Sequence, residues 1–244
     1  MRLAVSIITS RYRQLLFYVL ARLFSFIYGV FMKFFTISAH PDTAPSSLVF
    51  LLHGWGANGQ DLLPIAEEWA QSLPQTLFIC PEAPEVCDMN AAGFQWFSLG
   101  DWSERAMQDG IEQAAGPLEA FLSEQRAKYQ IPPEKTVLMG FSQGMMMSLY
   151  VGLRQTEALA GILGYSGALL GQSDELPLRY PKPELCLVHG LSDPVIPVAA
   201  HDAALGWLKG HGYTVSSLKV PGLPHGIDES GLKTGGEFLK RRLG

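Results

Sequence analysis

The chain has 244 residues, of which 48% are apolar, enough for one large buried core or two small ones. It carries 18 basic and 23 acidic residues, and five of the bases lie in residues 1–33, which hold no acid. The remainder therefore has a net charge of −10, which excludes a nucleic-acid partner gripped through its phosphates. Cys80, Cys87 and Cys186 form no CxxC pair, and three cysteines suit no disulfide framework, so inert thiols in the cytoplasm are expected.

The first segment, residues 1–33, has a pattern of its own. Gln14 to Met32 are 19 mostly apolar residues, long enough to cross a bilayer. Arg22 near their middle costs about 2.5–3.5 kcal/mol on an insertion scale, which opposes a spanning helix. Arg11, Gln14, Tyr18, Arg22, Ser25, Gly29 and Lys33 recur every third or fourth position. On a helix they make one polar stripe, with leucine and phenylalanine on the other sides. This suits a helix in residues 14–33 lying on a membrane surface. A signal peptide fits less well, because the arginine breaks the apolar run and no small-residue cleavage site follows. A second reading stays open: Met32 is a serviceable start, and residues 1–31 would then be an over-extended reading of the gene.

From residue 34 to 244 the pattern is that of one globular domain. Short apolar runs predict buried strands at Leu48–Leu52, Thr76–Cys80, Thr136–Gly140, Gly161–Tyr165 and Leu185–His189, and the run Val215–Val220 a further strand. Helical spacing predicts helices over Pro64–Ser72, Glu104–Tyr129, Met145–Arg154 and Gly231–Arg242, with N-caps at Asp101 and Asp228. Pro117 should kink or split the second helix. Strands alternating with helices imply an α/β fold, with a mostly parallel twisted sheet and helices on both faces.

Two glycine motifs follow strands. Gly54-Trp55-Gly56-Ala57-Asn58-Gly59 matches the dinucleotide fingerprint, so a nucleotide-dependent oxidoreductase must be weighed. That motif needs a helix opening at its third glycine, and here the helix is expected only at Pro64. Gly140-Phe141-Ser142-Gln143-Gly144 is weak as a string, but its setting is strand, sharp turn, helix, as a nucleophilic serine requires. A hydroxyl also needs a base and an acid to orient that base. Asp193 follows the strand ending at His189, and His225 follows the strand ending at Val220. The order serine, acid, histidine is that of α/β-hydrolases. Of the other histidines, His53 is read as pinning the glycine loop, His189 as structural, and His201 and His211 as helix-surface residues.

The motifs FLLHGWGANGQDLL, PEAP, QWFSL, GFSQGMMMSL, GYSGAL, VHGLSDPVIPV and GLPHGID occur in this order. From Phe34 onward the chain resembles the phospholipase/carboxylesterase family, the acyl-protein thioesterase-like branch of the α/β-hydrolases, and is nearest to its small bacterial carboxylesterases. The resemblance implies an α/β-hydrolase fold and hydrolysis of carboxylic esters or thioesters, with no metal or organic cofactor. By position, Ser142 would be the nucleophile, His225 the base and Asp193 the acid. Backbone amides of Trp55 and Gln143 would form the oxyanion hole. Trp96, Phe97, Met145 and Met146, with Trp55, are candidates to line an apolar acyl pocket, with core packing as the competing reading. The stretch between Gly167 and Pro183 is too short for a lid subdomain. A hydrolase-fold binding protein without activity is the alternative to the enzyme.

Overall fold

Long apolar runs must be covered on both faces, and helices supply the cover. The computed structural model describes residues 32–171 and 181–244. The expected interfacial helix therefore lies outside the described residues up to residue 31, as do residues 172–180 of the stretch judged too short for a lid. In chain order the strands are β1 (Phe34–Ile37), β2 (Ser47–Leu52), β3 (Thr76–Pro81), β4 (Glu85–Cys87), β5 (Asn90–Gln95), β6 (Thr136–Phe141), β7 (Gly161–Tyr165), β8 (Glu184–Gly190) and β9 (Val215–Val220). The helices are α1 (Leu63–Ala70), α2 (Glu104–Tyr129), α3 (Gln143–Arg154), α4 (Val198–Gly210) and α5 (Glu229–Leu243).

Seven strands form one sheet in the order β1-β3-β2-β6-β7-β8-β9, parallel except for β1. Alternate residues of a strand point to opposite faces. Leu48, Phe50 and Leu52 accordingly join a cluster with Ile111, Leu118 and Phe121 of α2 and Met146 of α3. Val49 and Leu51 turn to the other face, where Trp69 of α1 and Phe238 and Leu239 of α5 cover them. Helix α4 packs Ala204 and Leu208 on Leu185 and Leu187, beside Leu149 of α3.

The six expected strands match the observed ones to within a residue at each end. Strand β1 and the β4–β5 hairpin were not foreseen. The first is a four-residue edge strand, half-buried. The second contains Asn90-Ala91-Ala92-Gly93, residues that sheets disfavour. Strand β1 runs antiparallel to β3 and pairs Phe34 with Pro81. The chain therefore enters the sheet at the carboxyl end of its parallel strands, where Lys33 O accepts from Glu82 N at 2.7 Å.

Three local expectations change. Helix α2 is capped by Ser103, whose Oγ accepts from Ala106 N at 3.3 Å, and Asp101 instead accepts from Ser103 N at 2.7 Å. Helix α2 is also not split at Pro117, since an exposed proline removes only one hydrogen bond from a 26-residue helix. His201 is fully buried on the inner side of α4, not on its surface. The cap at Asp228 is as expected, accepting from Gly231 N at 2.8 Å.

Helix α5 docks through small residues. Tyr165 Oη donates to Gly231 O at 3.0 Å, and Trp69 Nε1 donates to Leu232 O at 3.0 Å. A Cβ on Gly235 would lie 2.0 Å from that tyrosine oxygen. Gly235→Ala should therefore destabilise the protein by about 2–3 kcal/mol, as overpacking does. Gly206 of α4 is exposed with open space where a Cβ would sit. Gly206→Ala should stabilise by about 0.5–1 kcal/mol. Denaturant melts of the two variants check the pair, and equal effects would contradict this packing.

Candidate active site

Strand β6 passes into α3 through Ser142, whose backbone is held at φ 56° and ψ −118°. A non-glycine residue adopts that conformation only where its surroundings enforce it. Ser142 N donates to Tyr165 O at 2.8 Å, while Met145 N and Met146 N donate to Ser142 O at 3.0 and 3.2 Å. A Cβ on Gly140 would lie 2.1 Å from Gly144 O, and one on Gly144 would lie 2.0 Å from Leu52 O. Both glycines that flank the serine are thus required by close backbone approach. The first turn of α3 directs its amides, and the positive end of its dipole, toward the same point.

Asp193 and His225 come from two neighbouring loops, after β8 and after β9. The loops close on one another because Gly190 has no side chain: a Cβ there would meet Leu223 O at 2.2 Å. Leu191 N donates to Val220 O at 2.9 Å, and Ser192 N to Leu223 O at 3.1 Å. His225 Nδ1 then donates to Asp193 Oδ2 at 2.7 Å. Val195 N and Ile196 N both donate to Asp193 Oδ1, at 2.8 and 2.9 Å. Burial alone would push the Asp193 carboxyl up. The hydrogen bonds from His225, Ile196 and Val195 outweigh it and hold the group below its ordinary range. The carboxylate is ionised at neutral pH, with its side chain fully buried.

The His225 ring packs 4.9 Å from the ring of Phe141, the residue before Ser142. Among the described residues the Ser142 hydroxyl makes no hydrogen bond. Such contacts often close only when substrate is bound.

The loop after β2 lies against the serine, because a Cβ on Gly54 would be 3.3 Å from Ser142 Cβ. His53 pins this loop. Its Nε2 accepts from Ala83 N at 3.0 Å, so the proton is on Nδ1, which donates to Gly54 O at 2.8 Å. Burial pushes the His53 imidazolium down, which keeps the ring neutral. Among the described residues, the backbone amides of Trp55 and Gln143 have no acceptor within the protein. Trp55 is fixed by its ring instead, with Nε1 donating to Gln95 Oε1 at 2.9 Å.

The Gln143 side chain has a role that the sequence did not disclose. Its Oε1 accepts from Trp96 N at 2.9 Å, and its Nε2 donates to Phe97 O at 2.7 Å. It therefore ties the segment after β5 to the start of α3. Trp96 Nε1 adds a bond to His53 O at 3.0 Å. Trp96 and Phe97 border a cleft of about 380 Å³ whose lining also carries Glu85, Asp101 and Asp109 and does not include Ser142 or His225. Met145 and Met146 are placed differently. They sit in two core clusters and are not part of that lining.

The glycine loop does not have the shape of a dinucleotide site. After Gly59 comes a single 3₁₀ turn, Gly59–Leu62, capped by Asn58, and α1 opens only at Leu63. Among the described residues no three histidine, cysteine or acidic side chains converge as metal ligands.

Comparison with known proteins agrees with this architecture. Residues 34–243 match the phospholipase/carboxylesterase family. The chain is 30% identical over 214 residues to acyl-protein thioesterase 1 of Gibberella zeae, covering 81% of this chain and 91% of that protein. It is 31% identical over 220 residues to acyl-protein thioesterase 1 of Neurospora crassa, covering 81% and 87%. Among solved structures, it superposes on esterase PE8 with a TM-score of 0.81 and 37% identity, covering 87% of this chain and 99% of that one. SOBER1 of Arabidopsis thaliana gives a TM-score of 0.73 at 26% identity, covering 81% and 99%. With the strand–serine–helix turn, the paired loops and this match over almost the whole described chain, the protein belongs to the phospholipase/carboxylesterase family of α/β-hydrolases.

Proposed function

We propose that the protein is a serine esterase or thioesterase in which Ser142, His225 and Asp193 act as a catalytic triad. The observation that carries this reading is the 2.7 Å bond from His225 Nδ1 to the buried Asp193 carboxylate, beside a serine held at φ 56°. With Nδ1–H committed to Asp193, the His225 Nε2 is free to accept the Ser142 proton. Ser142 Oγ then attacks the acyl carbon, and the carbonyl oxygen becomes an oxyanion. The amides of Trp55 and Gln143 are the donors proposed to receive it. His225 returns the proton to the leaving alcohol or thiol. Water, activated by the same histidine, then releases the acid from Ser142. The apolar part of the acyl chain is proposed to lie beside Trp96 and Phe97, on the segment tied to Gln143. The names of its relatives support both ester and thioester substrates.

A second proposal concerns location: the enzyme works at the cytoplasmic surface of a membrane, attached through residues 14–33. The favouring observation is where the chain enters the fold. Strand β1 begins at the carboxyl edge of the sheet, the edge that carries Ser142, Asp193 and His225. The large apolar side chains exposed among the described residues are Val86, Met89, Trp102, Leu191 and Val195. All five lie in segments on this edge. No helix among the described residues is long and apolar enough to cross a membrane.

A panel of acyl esters and thioesters of rising chain length, with a fluorophosphonate label for the activated serine, tests the activity. Ser142→Ala should lower turnover on the order of 10⁴–10⁶-fold and abolish labelling without changing the melting curve. Asp193→Asn should lower kcat by roughly 10³–10⁴-fold, because the histidine would be held in the wrong tautomer. Asp202→Asn and Asp228→Asn should leave kcat near the parent value. Asp202 is exposed and paired with Lys219 at 2.7 Å, and Asp228 caps α5. A large loss at Asp202 with little at Asp193 would overturn the assignment.

For the membrane reading, the full-length protein is compared with a version starting at Met32. Both should show equal kcat/KM on soluble esters. Only the longer one should co-sediment with vesicles containing phosphatidylglycerol, because a cationic amphipathic helix binds anionic lipid. Equal sedimentation of the two forms would refute the anchor.

A further inference from the structure

Close to Asp193 lies a second, buried histidine that the mechanism above does not use. We propose that His189 is a positioning residue for the reaction: its Nε2–H bonds to the carbonyl of Ile196 and so fixes the turn that holds the Asp193 carboxylate. This inference rests on the triad reading.

His189 is the penultimate residue of β8, and it is fully buried. Its Nε2 lies 2.8 Å from Ile196 O. A carbonyl oxygen only accepts, so the ring carries a proton on Nε2. Its Nδ1 has no partner among the described residues. The Ile196 residue is thus held at both ends: its amide donates to Asp193 Oδ1 at 2.9 Å, and its carbonyl accepts from His189. The same Nε2 is 3.5 Å from Asp193 Oδ2, the oxygen that accepts from His225 Nδ1 at 2.7 Å. Two imidazoles therefore converge on one carboxylate oxygen. The close one belongs to the proposed base, and the distant one spends its proton on Ile196 O.

Among the described residues, the titratable groups around the ring are few. The ring of His201 packs edge-on 5.5 Å from that of His189, and its own Nε2 is 2.8 Å from Ser217 Oγ. Burial, and then the neighbouring His189, bring the His201 pKa down to about 4, so at neutral pH it places no cation behind Asp193. The charged groups beyond it, Asp202 and Lys219, pair with each other. An imidazole here leaves a buried nitrogen without a partner among the described residues, which costs stability. A leucine of similar size would avoid that cost but would leave the Asp193 turn without its outer hydrogen bond.

The test compares His189→Leu, His189→Gln and His189→Asn on the full chain, each also combined with Asp193→Asn. Glutamine places an amide N–H near the position of Nε2, whereas asparagine is too short to reach Ile196 O. Leu and Asn should lower kcat by about 10–100-fold, the range typical of hydrogen-bond partners one layer behind a functional group, with KM within about twofold. Gln should restore kcat to within about fivefold of the parent. In the Asp193→Asn background the same changes should cost less than about twofold more, because residues acting as a unit are not additive. If His189→Leu does not fold, the Gln and Asn variants carry the comparison alone. Equal kcat for Gln and Asn, parental kcat for Leu or Asn, or an undiminished loss in the Asp193→Asn background would each overturn the proposal. An Asp193→Asn variant of parental activity would instead overturn the triad reading itself.

Discussion

The site depends on a place where three stretches of backbone meet with no side chain between them. Strand β6 ends against the first turn of α3, and that turn lies against the end of β2. The positions where a Cβ would stand on Gly140 and Gly144 are already filled by carbonyl oxygens, at 2.1 and 2.0 Å. Interiors pack to crystal-like density, so such a contact has essentially one solution. Ser142 is strained because this crossing leaves its backbone no other course. The amide at the head of α3 and the glycine loop after β2 are brought together by the same contact.

From this crossing outward, the arrangement relies on main-chain geometry more than on side chains. The Asp193 and His225 loops meet across Gly190, and the β5 backbone at Gly93 presses on Gly56 in the same way, with a Cβ site only 2.0 Å from Gly56 O. Polar side chains then lock loops that the glycines have allowed to approach. His53, Gln95 and Gln143 each bond to backbone or to a neighbouring polar side chain, and all but His53 do so with both ends of an amide. A site built in this way is preorganised before substrate arrives, as electrostatic stabilisation of an oxyanion requires.

What the sequence discloses follows from this division. Strands buried on both faces announce themselves as apolar runs, so the sheet core, the helices on either side and the three loops carrying Ser142, Asp193 and His225 could be placed from composition and spacing. The β4–β5 hairpin could not, since Asn90-Ala91-Ala92-Gly93 has little strand character and pairs only because Phe94 docks against the glycine loop, its N–H donating to Ala57 O at 2.8 Å. Met145 and Met146 were expected at the acyl pocket as readily as in the core, because period alone does not say which neighbour a helix faces. Gln143 and His189 escaped for a related reason. A buried amide or imidazole is recognisable only by its partners, and Trp96, Phe97 and Ile196 lie 47, 46 and 7 residues away along the chain.

Gln143 belongs to two systems at once. Its backbone N–H stands at the head of α3 beside Ser142, while its side chain carries the segment that walls the cleft. Any change made at Trp96 or Phe97 therefore pulls on the turn that holds Ser142. The opposite wall is coupled to it by packing: Gly110, Ala114 and Pro117 stand on α2, and a Cβ added at Gly110 would meet the Phe97 ring at 2.9 Å. A larger residue at Gly110 would therefore push on the Phe97 ring and, through the Phe97 carbonyl, on Gln143 and the turn that holds Ser142.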